Sequence, residues 1–170
     1  MNKTIIYTAF TLLIVNATQT LADVVTADDA IIQGRACIGV NCVNNEVFGI
    51  ENIRLKQENN SIFADDTSDS SYADNDWQLT FNDYTLGGAN KFSVEDKTHL
   101  LTPFTITANA PTNSLFVSSS GNIGLGTSVP AQKLHILQGF EPTIRLEQDT
   151  SLGFYAQTWD IGGSDDYFFY

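Results

Sequence analysis

The residues whose types and spacing point to definite chemistry are Cys37 and Cys42, separated by Ile-Gly-Val-Asn in "CIGVNC". The gap is too wide for a redox C-x-x-C pair, and no second cysteine pair or paired histidines complete a zinc site. A local disulfide and two buried thiols are the alternatives, and an oxidising compartment favours the disulfide. The run "DDTSDSSYADND" offers Asp65, Asp66 and Asp69, with Asp74 and Asp76 beyond, as hard oxygen ligands of the kind calcium takes. The EF-hand spacing with its central Gly and final Glu is missing, and Asp and Ser are ordinary turn residues, so a solvated loop is the preferred reading. His135 falls on the polar side of "KLHI" and His99 in "KTHL", while the serines of "SSSG" lack a strand-turn-helix nucleophile elbow. These patterns predict no catalytic residue, no resident metal and no cofactor. Trp77, Trp159 and Tyr84 remain as aromatic faces that could stack on a sugar, or as large core residues.

The elements that would position these residues begin with an export segment. Lys3 precedes an apolar run from Ile5 to Val15, and a more polar stretch ends at Ala22 with the small residues a signal peptidase reads. The pattern predicts a signal peptide over 1–22. The apolar run is shorter than the roughly 20 residues a spanning helix needs, and no later stretch is as apolar, so no membrane span is expected after cleavage. Cleavage removes Lys3, the one charged residue of the segment, and makes the net charge of −12 one unit more negative. Such a chain has no basic stripe with which to displace counterions from phosphates, which argues against nucleic acid as a partner. With 42% hydrophobic and 11% aromatic residues the composition is that of a folded chain.

Beyond Ala22 the sequence reads as all-β. Val, Ile, Thr, Phe and Tyr dominate short runs punctuated by Asn, Asp, Gly and Ser. Apolar and polar residues alternate in "NIRLKQ", "DWQLTF", "KFSVED", "PFTITA", "SLFVSS", "KLHI" and "TIRLEQ". The expectation is short antiparallel strands in tandem repeats, arranged as an elongated fibre-like array or as small β-sandwich units. Comparison of the chain with itself supplies the repeat. "IRLKQE" at 53–58 returns as "IRLEQD" at 144–149, "IGV" at 38–40 as "IGL" at 123–125, Trp77 as Trp159, Gly87-Gly88 as Gly162-Gly163 and "NKFSV" as "DYFFY", all in the same order. The interval from Ile53 to Trp77 exceeds that from Ile144 to Trp159, and the Asp/Ser-rich run lies within it. A first repeat over 23–110 and a second over 111–170 follow, the second ending at Tyr170 in mid-strand as though the natural chain continued.

In "SGNIGLGTSVPAQKLHI" the glycines Gly124 and Gly126 share one face of an extended segment, and Pro130 follows in a turn. A bare glycine face admits close approach of another backbone. A dinucleotide fingerprint would need a third glycine at 129 and a helix, which Val129 and Pro130 deny.

This stretch, with the wider series from "ADDAIIQGRACIGVNCVNNEVFGIENIRLKQ" to "GNIGLGT", resembles the G-x-I-G-L-G-T-x-x-P repeats of phage tail fibres and exported bacterial fibre-like proteins, often found upstream of an S74-type chaperone domain. The resemblance implies a fibre-like, often trimeric, β structure and no enzymology; the chaperone domain and its Ser-Lys pair are not in this sequence. The chain is therefore expected to be a non-enzymatic structural or adhesive segment, secreted or on the cell surface, self-associating as a homotrimer. The alternative is a glycan-binding module that uses Trp77, Trp159 and Tyr84 on a surface glycan.

Overall fold

The computed structural model describes residues 31–170; the signal peptide expected at 1–22 lies outside the described residues. Among these the fold is all-β, with twelve strands in four separate sheets. Strand β1 (Ala36–Ile38) pairs with β2 (Ile53–Leu55). Strands β3 (Asn60–Ala64), β4 (Trp77–Phe81), β5 (Lys91–Asp96) and β6 (Leu101–Thr107) form an antiparallel meander. Strands β7 (Phe116–Val117), β8 (Ile123–Leu125) and β9 (Leu134–Ile136) make a third sheet. A second meander joins β10 (Thr143–Gln148), β11 (Gln157–Gly163) and β12 (Phe168–Phe169). No helix long and apolar enough to cross a membrane occurs among the described residues.

Two pairings are parallel, β1 with β2 and β8 with β9, where sequence alternation alone suggested antiparallel strands throughout. Each parallel pair has the same closing device. Gly39 follows β1 at φ +130°, and a Cβ there would collide with the carbonyl oxygen of Lys56 just past β2. Gly126 follows β8 at φ +83°, and its Cβ would collide with the carbonyl oxygen of Leu137 just past β9. In both places the second strand's next amide returns a hydrogen bond: Lys56 N–H donates to Ile38 O at 2.8 Å, and Leu137 N–H donates to Leu125 O at 2.8 Å. Only glycine allows this backbone conformation and this approach together. Gly124 is equally confined, since a side chain there would strike the carbonyl of Thr127 as the chain turns toward Pro130. The Pro130 carbonyl accepts from the Asn122 side-chain amide at 3.1 Å.

The structural repeat therefore runs differently from the sequence match. "IRLKQ" at 53–57 is the partner of β1 in a parallel pair, and its counterpart is "LHILQ" at 134–138; "IRLEQ" at 144–148 lies in an antiparallel hairpin. Alternation of apolar and polar residues is the same in both settings, so the motif alone does not choose its partner. Trp77 and Trp159 both lie on inner strands of their meanders, Trp77 first in β4 between β3 and β5, and Trp159 third in β11 between β10 and β12. The glycine pairs do not correspond. Gly87-Gly88 form the β4–β5 turn, while Gly162-Gly163 lie in β11.

Each sheet is a single layer with one apolar face. In the first meander the registers align Ile62, Leu79, Val94 and Phe104 in one row and Asn60, Phe81, Phe92 and Ile106 in the next, with Trp77 beside Asp96. Phe81 and Phe92 touch with ring centroids 5.6 Å apart. The reverse face carries Ser61, Gln78, Thr80, Ser93, Glu95, Lys91 and Thr105, with Phe63 as its large apolar residue. In the second meander Ile144, Leu146, Trp159, Ile161 and Phe168 share one face and Arg145, Asp160 and Glu147 the other. No large hydrophobic side chain is buried among the described residues; Ser93 and Thr80 are the buried polar ones, shaded on the polar face by their longer neighbours. The sheets are consequently not stacked into sandwiches, which would bury two facing apolar layers.

The glycine contacts give a direct test. Gly126→Val and Gly39→Val should each cost about 2–4 kcal/mol through collision and backbone strain. Gly139→Val, at a position with open space around the would-be Cβ, should change stability by about 0.5 kcal/mol or less. Melting temperatures of the three variants report the difference.

Candidate functional site

The candidate aromatic site is not one platform. Trp77 opens β4, whereas Tyr84 lies past its other end in the β4–β5 turn, with the strand's length of about 13 Å at 3.3 Å per residue between them. Trp159 belongs to another sheet, opposite Leu146. Tyr84 sits in a turn held by ionic and backbone contacts: Lys91 Nζ meets Asp83 Oδ1 at 2.7 Å, and Asn82 N–H donates to Lys91 O at 2.7 Å. That ammonium holds the Asp83 carboxyl below its ordinary range. Both tryptophans are half exposed, Trp77 at 43% and Trp159 at 51%. Their same-face neighbours differ: Trp77 lies between Ala64 and Asp96 with Leu79 two residues on, while Trp159 has Leu146 and Ile161. What the arrangement offers is mostly extended apolar contact, with one carboxylate, Asp96, beside Trp77.

The acidic loop between β3 and β4 uses its carboxylates on itself. Asp66 Oδ1 accepts from Ser68 N–H at 2.8 Å, Asp69 Oδ1 from Ser71 N–H at 2.9 Å, and Asp76 Oδ1 from Asp66 N–H at 2.9 Å. These bonds favour the charged form: Asp66 is lowered first by the Ser68 hydroxyl, Asp69 first by the Ser71 amide. Asp65 is in the same loop, and no group of three His, Cys, Asp or Glu among the described residues is arranged to hold a metal ion. His99 Nδ1 lies 3.0 Å from Asp96 Oδ2 and 3.1 Å from Asn75 Oδ1, across the mouth of that loop. Asp96 is lowered chiefly by the His99 backbone N–H and further by the ring. His135 Nδ1 accepts from Ala131 N–H at 3.2 Å in the β8–β9 turn.

The most elaborate side-chain cluster was missed by sequence reasoning. The β1–β2 connection, residues 39–52, carries the Cys37–Cys42 disulfide, with a Cα–Cα distance of 5.9 Å. It also carries Glu46, whose side chain is 8% exposed. Glu46 accepts from Arg54 Nη1 at 2.7 Å and from Lys56 Nζ at 2.9 Å, and closes on its own loop by accepting from Val43 N–H at 3.3 Å. Arg54 also donates to Val47 O at 2.9 Å, pairs with Glu51, and lies 5.2 Å from the Phe48 ring centroid. The Lys56 hydrogen bond is the largest influence holding Glu46 below the ordinary carboxylate range, with Arg54 adding to it. The signal was present as "NEVFGIENIRLKQ", in which two acidic residues flank an aromatic and two basic residues follow, but sequence does not say which carboxylate folds inward. The β8–β9 connection, residues 126–133, has no counterpart of this clasp.

Comparison of the chain with protein-family models, with curated proteins and with solved structures finds no match.

Two outcomes follow for the clasp. Because the folded pKa of Glu46 is depressed, its ion pairs contribute stability above the ordinary value of about 4.3 and lose it as pH falls through the lower folded value. Protection factors of amides 40–52, taken relative to intrinsic exchange at each pH, should therefore fall on acidification to about pH 3, and Glu46→Gln should reproduce that loss of protection at neutral pH. Reduction of the disulfide should cost about 2 kcal/mol, the low end expected for so short a loop, read as a lowered melting temperature with dithiothreitol.

Proposed function

We propose that the chain is a non-enzymatic structural segment of an exported, fibre-like protein, secreted or held at the cell surface, and that it works as a self-associated homotrimer. One observation carries the reading: the described residues form single-layer sheets whose apolar faces are covered by nothing among the described residues. A domain of this size that folds alone buries a hydrophobic core. Sheets that leave large apolar faces open are suited to an assembly in which other copies complete the core. The disulfide is in keeping with an oxidising, extracytoplasmic setting, and the segregation of most charge onto the reverse faces keeps such an assembly soluble.

The half exposure of Trp77 and Trp159 favours a second reading, a glycan-binding β module, in which these rings and Tyr84 meet sugar. The separation of the three aromatic residues and their mostly apolar surroundings weigh toward the structural reading.

Sedimentation equilibrium of the exported chain should give a trimer mass across micromolar concentrations. A monomer at every concentration, together with saturable oligosaccharide binding that is lost in Trp77→Ala, would replace the structural reading by the glycan one.

A further inference from the structure

We infer that the surface through which copies of this chain meet is the tryptophan-bearing face of its sheets, and that a second copy of the chain, rather than an extended sugar, covers Trp77 and Trp159. The inference rests on the self-association reading and gives it a specific surface. The apolar faces are continuous at one junction. Ile53 and Leu55 from the first sheet line one cleft of about 330 Å³ together with Asn60 and Phe81 from the first meander. In the third sheet Val117, Ile123 and Leu134 form a row, with Leu125 beside Ile136, and the second meander follows with Ile144, Leu146, Trp159 and Ile161. Every sheet therefore offers an apolar side.

The extent fits a protein partner. Four strands about 4.8 Å apart and five residues long give the first meander a face of roughly 300 Å². The second meander is similar, and the two smaller sheets bring the total to about 800 Å², one side of a standard protein interface. The charge distribution selects the partner. Of the ionic contacts in the meanders, Lys91 with Asp83, Lys97 with Glu95 and Arg145 with Asp160 stand away from these faces, and only that of Asp96 with His99 lies at the Trp77 end of one. A chain of net charge −12 can approach its own copy closely only where charge is sparse, and these faces carry one carboxylate, Asp96 beside Trp77, which lies 3.0 Å from His99 Nδ1. A second copy presents the same series of apolar sides in the same order, so contact at one sheet brings the others into contact. A sugar chain would meet aliphatic rows with few hydrogen-bonding groups.

The chain has 2 tryptophans, one on each meander face, so its indole fluorescence reads these faces alone. In the full exported chain, dilution from the associated to the dissociated state should raise acrylamide quenching at least threefold and shift the emission to the red. Ile62→Asp and Leu146→Asp, both on the apolar side at exposed positions, should raise the dissociation constant at least a hundredfold. Thr105→Asp, on the reverse face, should leave it within about threefold. If the wild-type chain does not associate at any concentration, the self-association reading falls, and this inference with it. If it associates but quenching is the same in both states, or the three variants associate alike, the reading stands and the copies meet elsewhere, by strand edges or reverse faces. Protection of the indoles by oligosaccharides in the associated state would likewise overturn the inference.

Discussion

A β-sheet one layer thick satisfies its main chain through the ladder and still leaves half its side chains uncovered. That constraint runs through this chain. Its ladders are regular, and its polar residues are tied into local bonds and ion pairs, but rows such as Ile62-Leu79-Val94-Phe104 face outward. Hydrogen bonds alone contribute little net stabilisation, because unfolded groups bond to water instead. The apolar rows hold most of the free energy available for folding, about 25 cal/mol per Å² of apolar surface removed from water, and a single copy collects little of it.

The two parallel pairs solve a different problem. Parallel neighbours need a crossover, commonly of a dozen residues or more, and here the connections are a clasped loop over 39–52 and a short turn over 126–133. Both begin at a glycine facing a carbonyl, so the local geometry is set by main chain against main chain. The Glu46 cluster and the disulfide then rigidify only the longer connection. Its neighbours Val40, Val43, Val47 and Ile50 stay exposed, so the cluster orders the loop by polar contacts and not by burial.

Much of the architecture was legible in the residues. Alternation in "DWQLTF" and "TIRLEQ" located strands, and the cysteine spacing located the bridge. That Trp77 and Trp159 both fall on inner strands also accords with the order of motifs. The partners of the strands were less legible. "IRLKQ" and "IRLEQ" are nearly identical yet pair in opposite directions, because pairing is decided by what lies within reach after the turn and not by the strand's own pattern. The glycine that closes the first pair was hidden for the same reason: matching "IGV" with "IGL" put Gly39 against Gly124, while the ladder sets it against Gly126. Of the candidate site residues, the acidic loop and His135 proved to be bonded within their own turns, and His99 to Asp96 beside it and to Asn75 of the acidic loop. The inward carboxylate of Glu46 could not be singled out among 20 acidic residues.

The glycine-carbonyl closure bears on how such a chain changes length. Each parallel pair is finished by its own glycine, and the meander that follows is held by its own ladder, so a unit makes few demands on the identity of the next. Duplication of a gene segment encoding one unit would add a further rung without requiring compensating changes in its neighbours, and deletion would remove one as cleanly. What must survive divergence is small: one glycine per unit and an apolar side on each sheet. A protein built this way can drift widely in sequence and vary in reach while the distance contributed by each unit stays constant.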